Sequence, residues 1–106
     1  MPIKDTPLGL DQVTVIIVTY DSAHCIAALS EALVTLPHVT VVDNASQDGT
    51  PAEVARLMPH ANVLVNPVNL GFGAANNQGM DTVRTPYALL LNPDCLITPD
   101  NIARLI

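Results

Sequence analysis

Apolar residues along this chain come in short runs separated by polar turns, and the runs are of two kinds. Val13-Thr14-Val15-Ile16-Ile17-Val18-Thr19 is β-branched without polar alternation, the pattern of a strand covered on both faces of a parallel sheet, so it predicts a central strand. Ile26, Leu29, Leu33 and Leu36 then recur at helical spacing, from Asp21 or Ser22 as N-cap until Pro37 stops the pattern. Val39 to Val42 reads as a second strand. Thr50-Pro51-Ala52-Glu53 has the form of a capping box with proline at the first helical position, opening a short helix to about Met58. Asn62 to Val65 predicts a brief third strand, and Asn69-Leu70-Gly71-Phe72-Gly73 leads into a helix ending near Val83. Tyr87 to Leu91, apolar throughout, predicts a buried fourth strand. Thr98 as cap and Pro99 in the first turn begin a last helix that reaches the end of the chain at Ile106.

Strand and helix alternate four times. That order predicts an α/β layered sheet with right-handed crossovers, preceded by an arm over residues 1–12 that carries Pro2, Pro7 and Gly9. Residues 13–106 make one domain, since 106 residues suffice for a single core and no more. In such sheets ligands bind beyond the carboxyl ends of the strands, where the strand order reverses.

Composition narrows the partners. Apolar residues make up 49% and charged ones 13%, as in a tightly folded domain. Ten acidic residues against Lys4, Arg56, Arg84 and Arg104 give a net charge of −6, which leaves no basic surface to track DNA or RNA. A phosphate ligand would therefore have to be neutralised by helix N-termini, backbone amides or a divalent cation. Cys25 and Cys95 form neither a Cys-x-x-Cys pair nor a disulfide framework and read as buried small apolar residues in a reducing, cytoplasmic setting. No signal-peptide pattern or membrane-length apolar run occurs, so membrane association is expected only through other segments of a longer protein.

Polar residues gather at the ends of three strands: Thr19, Tyr20 and Asp21; Asp43 and Asn44; Asn92, Pro93 and Asp94. Asp21 and Asp48 by themselves read as helix caps. Asp94 is the sharpest candidate, because a buried strand would carry its carboxylate to the cleft, where one or two carboxylates plus phosphate oxygens suit Mg2+ or Mn2+. Asp43 fits equally an acceptor for a base N–H or a cap for the turn Asn44 to Gly49. Tyr20 fits a platform for a flat ligand, but taken alone favours closing the core. Asn69, Gly71, Gly73, Asn76, Asn77 and Gly79 allow close backbone approach. They are misplaced for a dinucleotide fingerprint, which should follow the first strand, and no Walker motif occurs. A phospho-receiver domain shares the element order but needs a late lysine, and the only lysine is Lys4. His24, His38 and His60 are too far apart for a local zinc motif and read as surface residues. Arg84 reads as serving the C-terminal end of the third helix rather than a diphosphate.

Taken together, Val15-Ile16-Ile17-Val18-Thr19-Tyr20, Val42-Asp43-Asn44-Ala45-Ser46-Gln47-Asp48-Gly49-Thr50, Asn69 through Gly79 and Leu90-Leu91-Asn92-Pro93-Asp94 closely resemble family 2 glycosyltransferases, in a branch that includes bacterial rhamnosyltransferases. The resemblance covers about residues 12 to 106. It implies a three-layer α/β/α, Rossmann-like GT-A sheet, here truncated, and inverting transfer of a sugar from a nucleoside diphosphate donor of UDP or dTDP type to a glycan or lipid-linked acceptor. By position it places Thr19, Tyr20 and Asp43 around the nucleobase and Asn76 near the ribose and diphosphate. Asn92-Pro93-Asp94 stands where the family has Asp-x-Asp, so Asn92 lacks the first charge while Asp94 keeps the metal. The family's general base is expected beyond Ile106. The resemblance therefore supports donor binding more than turnover. The alternative is a non-catalytic nucleotide-binding module that pairs open sheet edges into a homodimer.

Overall fold

The computed structural model describes residues 9–94 and 98–105; Lys4, Cys95 and most of the N-terminal arm lie outside that range. Four strands, β1 (Val13–Thr19), β2 (Val39–Asp43), β3 (Asn62–Val65) and β4 (Tyr87–Leu91), form one sheet in the order β3-β2-β1-β4. Every pairing is parallel, with Val15 opposite Val39 and Leu89, and Val41 opposite Val63. The helices are α1 (Ala23–Ala32), α2 (Thr50–Leu57), α3 (Phe72–Met80) and α4 (Pro99–Leu105). All seven residues of β1 are buried, as its unbroken β-branched run requires of an interior strand.

The period-2 alternation of the strands divides the core into two layers. Val15, Ile17, Val39, Val41 and Leu91 pack on one face with Ile26 and Leu29 of α1, Val54 of α2 and Ile102 of α4. Val18 and Val42 pack on the other, under Ala75 of α3. Gly79 makes that second contact close: a Cβ there would lie 2.5 Å from Cγ2 of Ile16 and 3.5 Å from Cγ2 of Val42. Of the other glycines in this segment, Gly71 is needed for its φ of +88°, whereas Gly73 has open space around it and an ordinary φ.

Several elements depart from their sequence patterns. α1 ends at Ala32, and Leu33 and Leu36 reach the core from the turn that follows, before Pro37. The capping box does not form. Thr50 is the first helical residue, Pro51 the second, and Gly49 precedes them with φ 84°. Glu53 turns outward into a two-pronged pair with Arg56, at 3.0 Å for each bond. α3 stops at Met80, and Arg84 donates to the carbonyls of Asp81 and Val83 just beyond it. β4 lies at the edge of the described sheet with Tyr87, Ala88 and Leu90 exposed. An all-apolar run does not distinguish an edge strand from an interior one, so the expectation that a buried strand carries Asp94 is corrected here. Leu10, assigned to the arm, is fully buried in the core. Thr98 does cap α4, accepting from the Asn101 amide at 3.1 Å.

Candidate functional site

The chain runs from β1 through β2 to β3 in one direction, and then crosses back over the opposite face to place β4 beside β1. The order therefore reverses between β1 and β4. A cleft of about 580 Å³ opens beyond the carboxyl ends of the strands there, lined by Tyr20 and Asp21 after β1 and by Asn92 and Asp94 after β4. Asn44 after β2 and Gly71-Phe72 at the start of α3 complete its walls, and His24 and Cys25 line it from α1. Asp21 (φ 50°) and Ala45 (φ 64°) are the only non-glycine residues with positive φ among those described, and both sit in the turns that leave β1 and β2. Backbone strain of this kind, about 1 kcal/mol or more per residue, gathers at functional sites.

Asp43 does not face the cleft. It is fully buried. Its Oδ1 accepts from the Thr19 hydroxyl at 2.6 Å and the Ser46 hydroxyl at 2.6 Å, and its Oδ2 accepts from the Ser46 amide at 2.9 Å. Thr19 and Asp43 are register partners on adjacent strands, so their side chains share a face. The two residues thus tie β1 to β2 and close the turn after β2.

Asn44, one residue on, is the member of this pair that reaches the cleft. Its Nδ2 donates to the Gly71 carbonyl at 3.0 Å, while its Oδ1 accepts from Asn66 Nδ2 at 3.0 Å and the Leu70 amide at 3.3 Å. Asn69 Oδ1 accepts from the Gly71 amide at 2.8 Å. A buried amide that uses donor and acceptor together thereby pins the entry to α3 against β2. Among the described residues no side chain caps α3, so its first-turn amides carry no side-chain acceptor.

Asp48 organises the neighbouring helix starts. Its Oδ2 accepts from the Ala23 amide at 3.0 Å at the start of α1, and its Oδ1 accepts from the Thr50 amide at 3.1 Å and from the Thr50 hydroxyl. The Thr50 hydroxyl, and after it the Ala23 amide, hold its carboxyl below the usual carboxylate range. A depressed folded pKa stabilises above the unfolded value, about 3.9, and that contribution is lost as pH falls through the folded value. Asp48→Ala is therefore expected to lower the urea midpoint at pH 7 and to differ less from the wild type at pH 3. An undiminished difference at pH 3 would show that the charge of Asp48 contributes nothing.

Of the six side chains assigned to the site from the sequence, the cleft brings together Tyr20, Asn92 and Asp94. Thr19, Asp43 and Asn76 are buried and do not line it. Tyr20 does not close the core: the residue is 56% exposed. Cys25 is half-buried at the cleft rather than in the core. Phe72 and Asn44 carry no pattern that singles them out in the sequence: Phe72 reaches the cleft through the placement of α3, and Asn44 through a contact made across 27 residues of chain, which local patterns do not encode.

Asp21 and Asp94 supply carboxylates, Asn92 an amide, and among the described residues neither lysine nor arginine lines the cleft. These are hard oxygen donors, as Mg2+ and Mn2+ require. Among the described residues no cluster of three metal-binding side chains occurs. The residues fit a cation that completes its shell with ligand phosphates and water, and not one caged by protein alone.

A second cleft, of about 560 Å³, lies at the opposite edge of the sheet and contains His38, His60 and Arg84. Basic groups there pair with carbonyls of the turns that follow two helices: His60 Nε2 with the Leu36 carbonyl at 3.0 Å, beyond α1, and Arg84 with those named above, beyond α3.

Fold and cleft together define a doubly wound, three-layer parallel α/β domain with its candidate site at the topological switch point. Residues 14–106 match the model of Glycosyl transferase family 2, and the chain belongs to that family, whose GT-A fold contains such a Rossmann-like sheet. It is similar to the Succinoglycan biosynthesis protein ExoO of Rhizobium meliloti (strain 1021), with 35% identity over 109 residues covering 94% of this chain. The chain spans 31% of that relative's length. No described helix is long and apolar enough to cross a membrane.

Proposed function

We propose that the cleft binds the nucleoside diphosphate of a nucleotide-sugar donor, and that this domain serves inverting transfer of a hexosyl unit to a glycan or lipid-linked acceptor in polysaccharide synthesis. The observation that carries the reading is the convergence, at the switch point, of the open N-terminus of α3 with Tyr20, Asn92 and Asp94. The amides of Phe72, Gly73 and Ala74 precede the first hydrogen bond of the helix, from the Ala75 amide to the Gly71 carbonyl at 3.2 Å. Such amides suit a diphosphate in a chain that has little cationic surface. Tyr20 offers a ring to the base. Asp94, with Asn92 or Asp21 beside it, would hold Mg2+ or Mn2+, which when bound supplies charge neutralisation for the leaving diphosphate. Deprotonation of the acceptor hydroxyl is assigned to no residue of this chain.

Calorimetry with UDP and dTDP, with and without Mn2+, tests the reading. Binding is expected for at least one nucleotide, tighter with Mn2+, and Asp94→Ala is expected to abolish the Mn2+ enhancement and weaken affinity roughly ten-fold, about 1.4 kcal/mol. Failure of both nucleotides to bind would overturn the donor reading. Binding indifferent to Asp94→Ala would remove Asp94 from the metal.

A further inference from the structure

The chain contains three aromatic residues, Tyr20, Phe72 and Tyr87. Two of them, Tyr20 and Phe72, line the cleft at the switch point, and each leaves more than half of its surface open, 56% and 59%. Single exposed apolar side chains are ordinary on protein surfaces. Two exposed rings brought into one cleft by different elements, in a chain with so few aromatics, are not. Moreover, the backbone that carries Phe72 is fixed. Gly71, immediately before it, is held through its carbonyl by the buried Asn44 and through its amide by Asn69. A ring carried on so constrained a turn loses little freedom when a ligand covers it.

Charge points the same way. Among the described residues neither lysine nor arginine lines the cleft, while Asp21 and Asp94 do, so among them no cationic side chain is placed to pair with a nucleotide's phosphates. Helix amides and a shared cation serve the phosphates; the base needs a separate source of binding energy. Stacking on an aromatic face is such a source, and it accepts any base because every base has a π-face.

We propose that Phe72 is a stacking platform for the nucleobase, forming with Tyr20 the aromatic part of the cleft. This rests on the donor reading above and adds to it a specific residue and a specific ligand group. Because stacking discriminates weakly between bases, UDP and dTDP are expected to depend on Phe72 to a similar degree.

The test uses intrinsic tyrosine emission, since the chain lacks tryptophan. Tyr87→Phe leaves Tyr20 as the sole tyrosine; Tyr87 itself is not among the cleft residues. In that background, titration with UDP in the presence of Mn2+ is expected to quench Tyr20, and calorimetry supplies the affinity independently. Phe72→Ala is expected to raise Kd about ten-fold. Phe72→Leu, which keeps apolar bulk without a π-face, should lose nearly as much, and Phe72→Tyr should bind as the background does. Unchanged UDP affinity in Phe72→Ala would overturn the proposal and leave the donor reading standing. Full recovery in Phe72→Leu would overturn stacking in favour of a plain apolar cover. Weakened binding of UDP-glucose with unweakened UDP would place the ring against the sugar and likewise overturn it. Absence of UDP and dTDP binding in both the wild type and the Tyr87→Phe background would defeat the donor reading itself, and this proposal with it.

Discussion

Asp43→Ala is expected to destabilise the domain by about 3 kcal/mol, a large share of the roughly 5–15 kcal/mol that holds a domain of this kind together. The carboxylate is fully buried and accepts three hydrogen bonds, from Thr19 and twice from Ser46. Alanine leaves the Thr19 hydroxyl, itself fully buried, and the Ser46 amide without an acceptor. Each buried donor so stranded costs about 1–3 kcal/mol. Asp43→Asn should fall between, since one acceptor oxygen survives while its NH2 group confronts donors. Urea unfolding checks this through a lowered midpoint at unchanged slope. A loss in Asp43→Ala below about 1 kcal/mol would mean that water replaces the carboxylate without penalty.

Asn44→Ala is expected to cost about 2 kcal/mol and, unlike Asp43→Ala, to act chiefly on the wall of the cleft. It removes the donor to the Gly71 carbonyl and the acceptor for Asn66 and the Leu70 amide in one step. Those partners belong to the segment between β3 and α3, so that segment should open locally before the rest of the fold. Amide exchange at Leu70 is the readout, with protection falling much more there than in β1. Asn44→Asp should do similar damage at neutral pH, because a carboxylate cannot donate to Gly71 and would confront its carbonyl oxygen. Unchanged protection at Leu70 in Asn44→Ala would show that the turn holds itself.

The contrast between these neighbours marks what was legible in the sequence. Period and β-branching located every strand, with β3 and β4 found at their observed limits, because strand patterns are local. The one-edge gathering of polar residues also followed from the alternation of elements alone. What escaped was the division of labour within Asp43-Asn44. Adjacent residues at a strand end point to opposite sides, and which side meets the cleft depends on where α3 lands, a tertiary fact. The capping box failed for a similar reason: Asp48, two residues before Thr50, already supplies the first-turn acceptor, so Glu53 is released to Arg56. The exposed flank of β4 was hidden because apolar content records what a strand tolerates and not how many neighbours it has.

Gly79 is usefully seen as the fulcrum of a lever. α3 spans nine residues, Phe72 to Met80, so at a rise of 1.5 Å per residue its two ends lie about 12 Å apart. The end that rests on Ile16 at Gly79 is remote from the end that presents Phe72 and the open amides to the cleft. A side chain added at the fulcrum, even the single methyl of alanine, would have to tilt or lift the rod, and the displacement would be felt at its far tip. The absence of one Cβ beneath the helix thus sets the aim of the cleft-facing groups from a position outside the cleft.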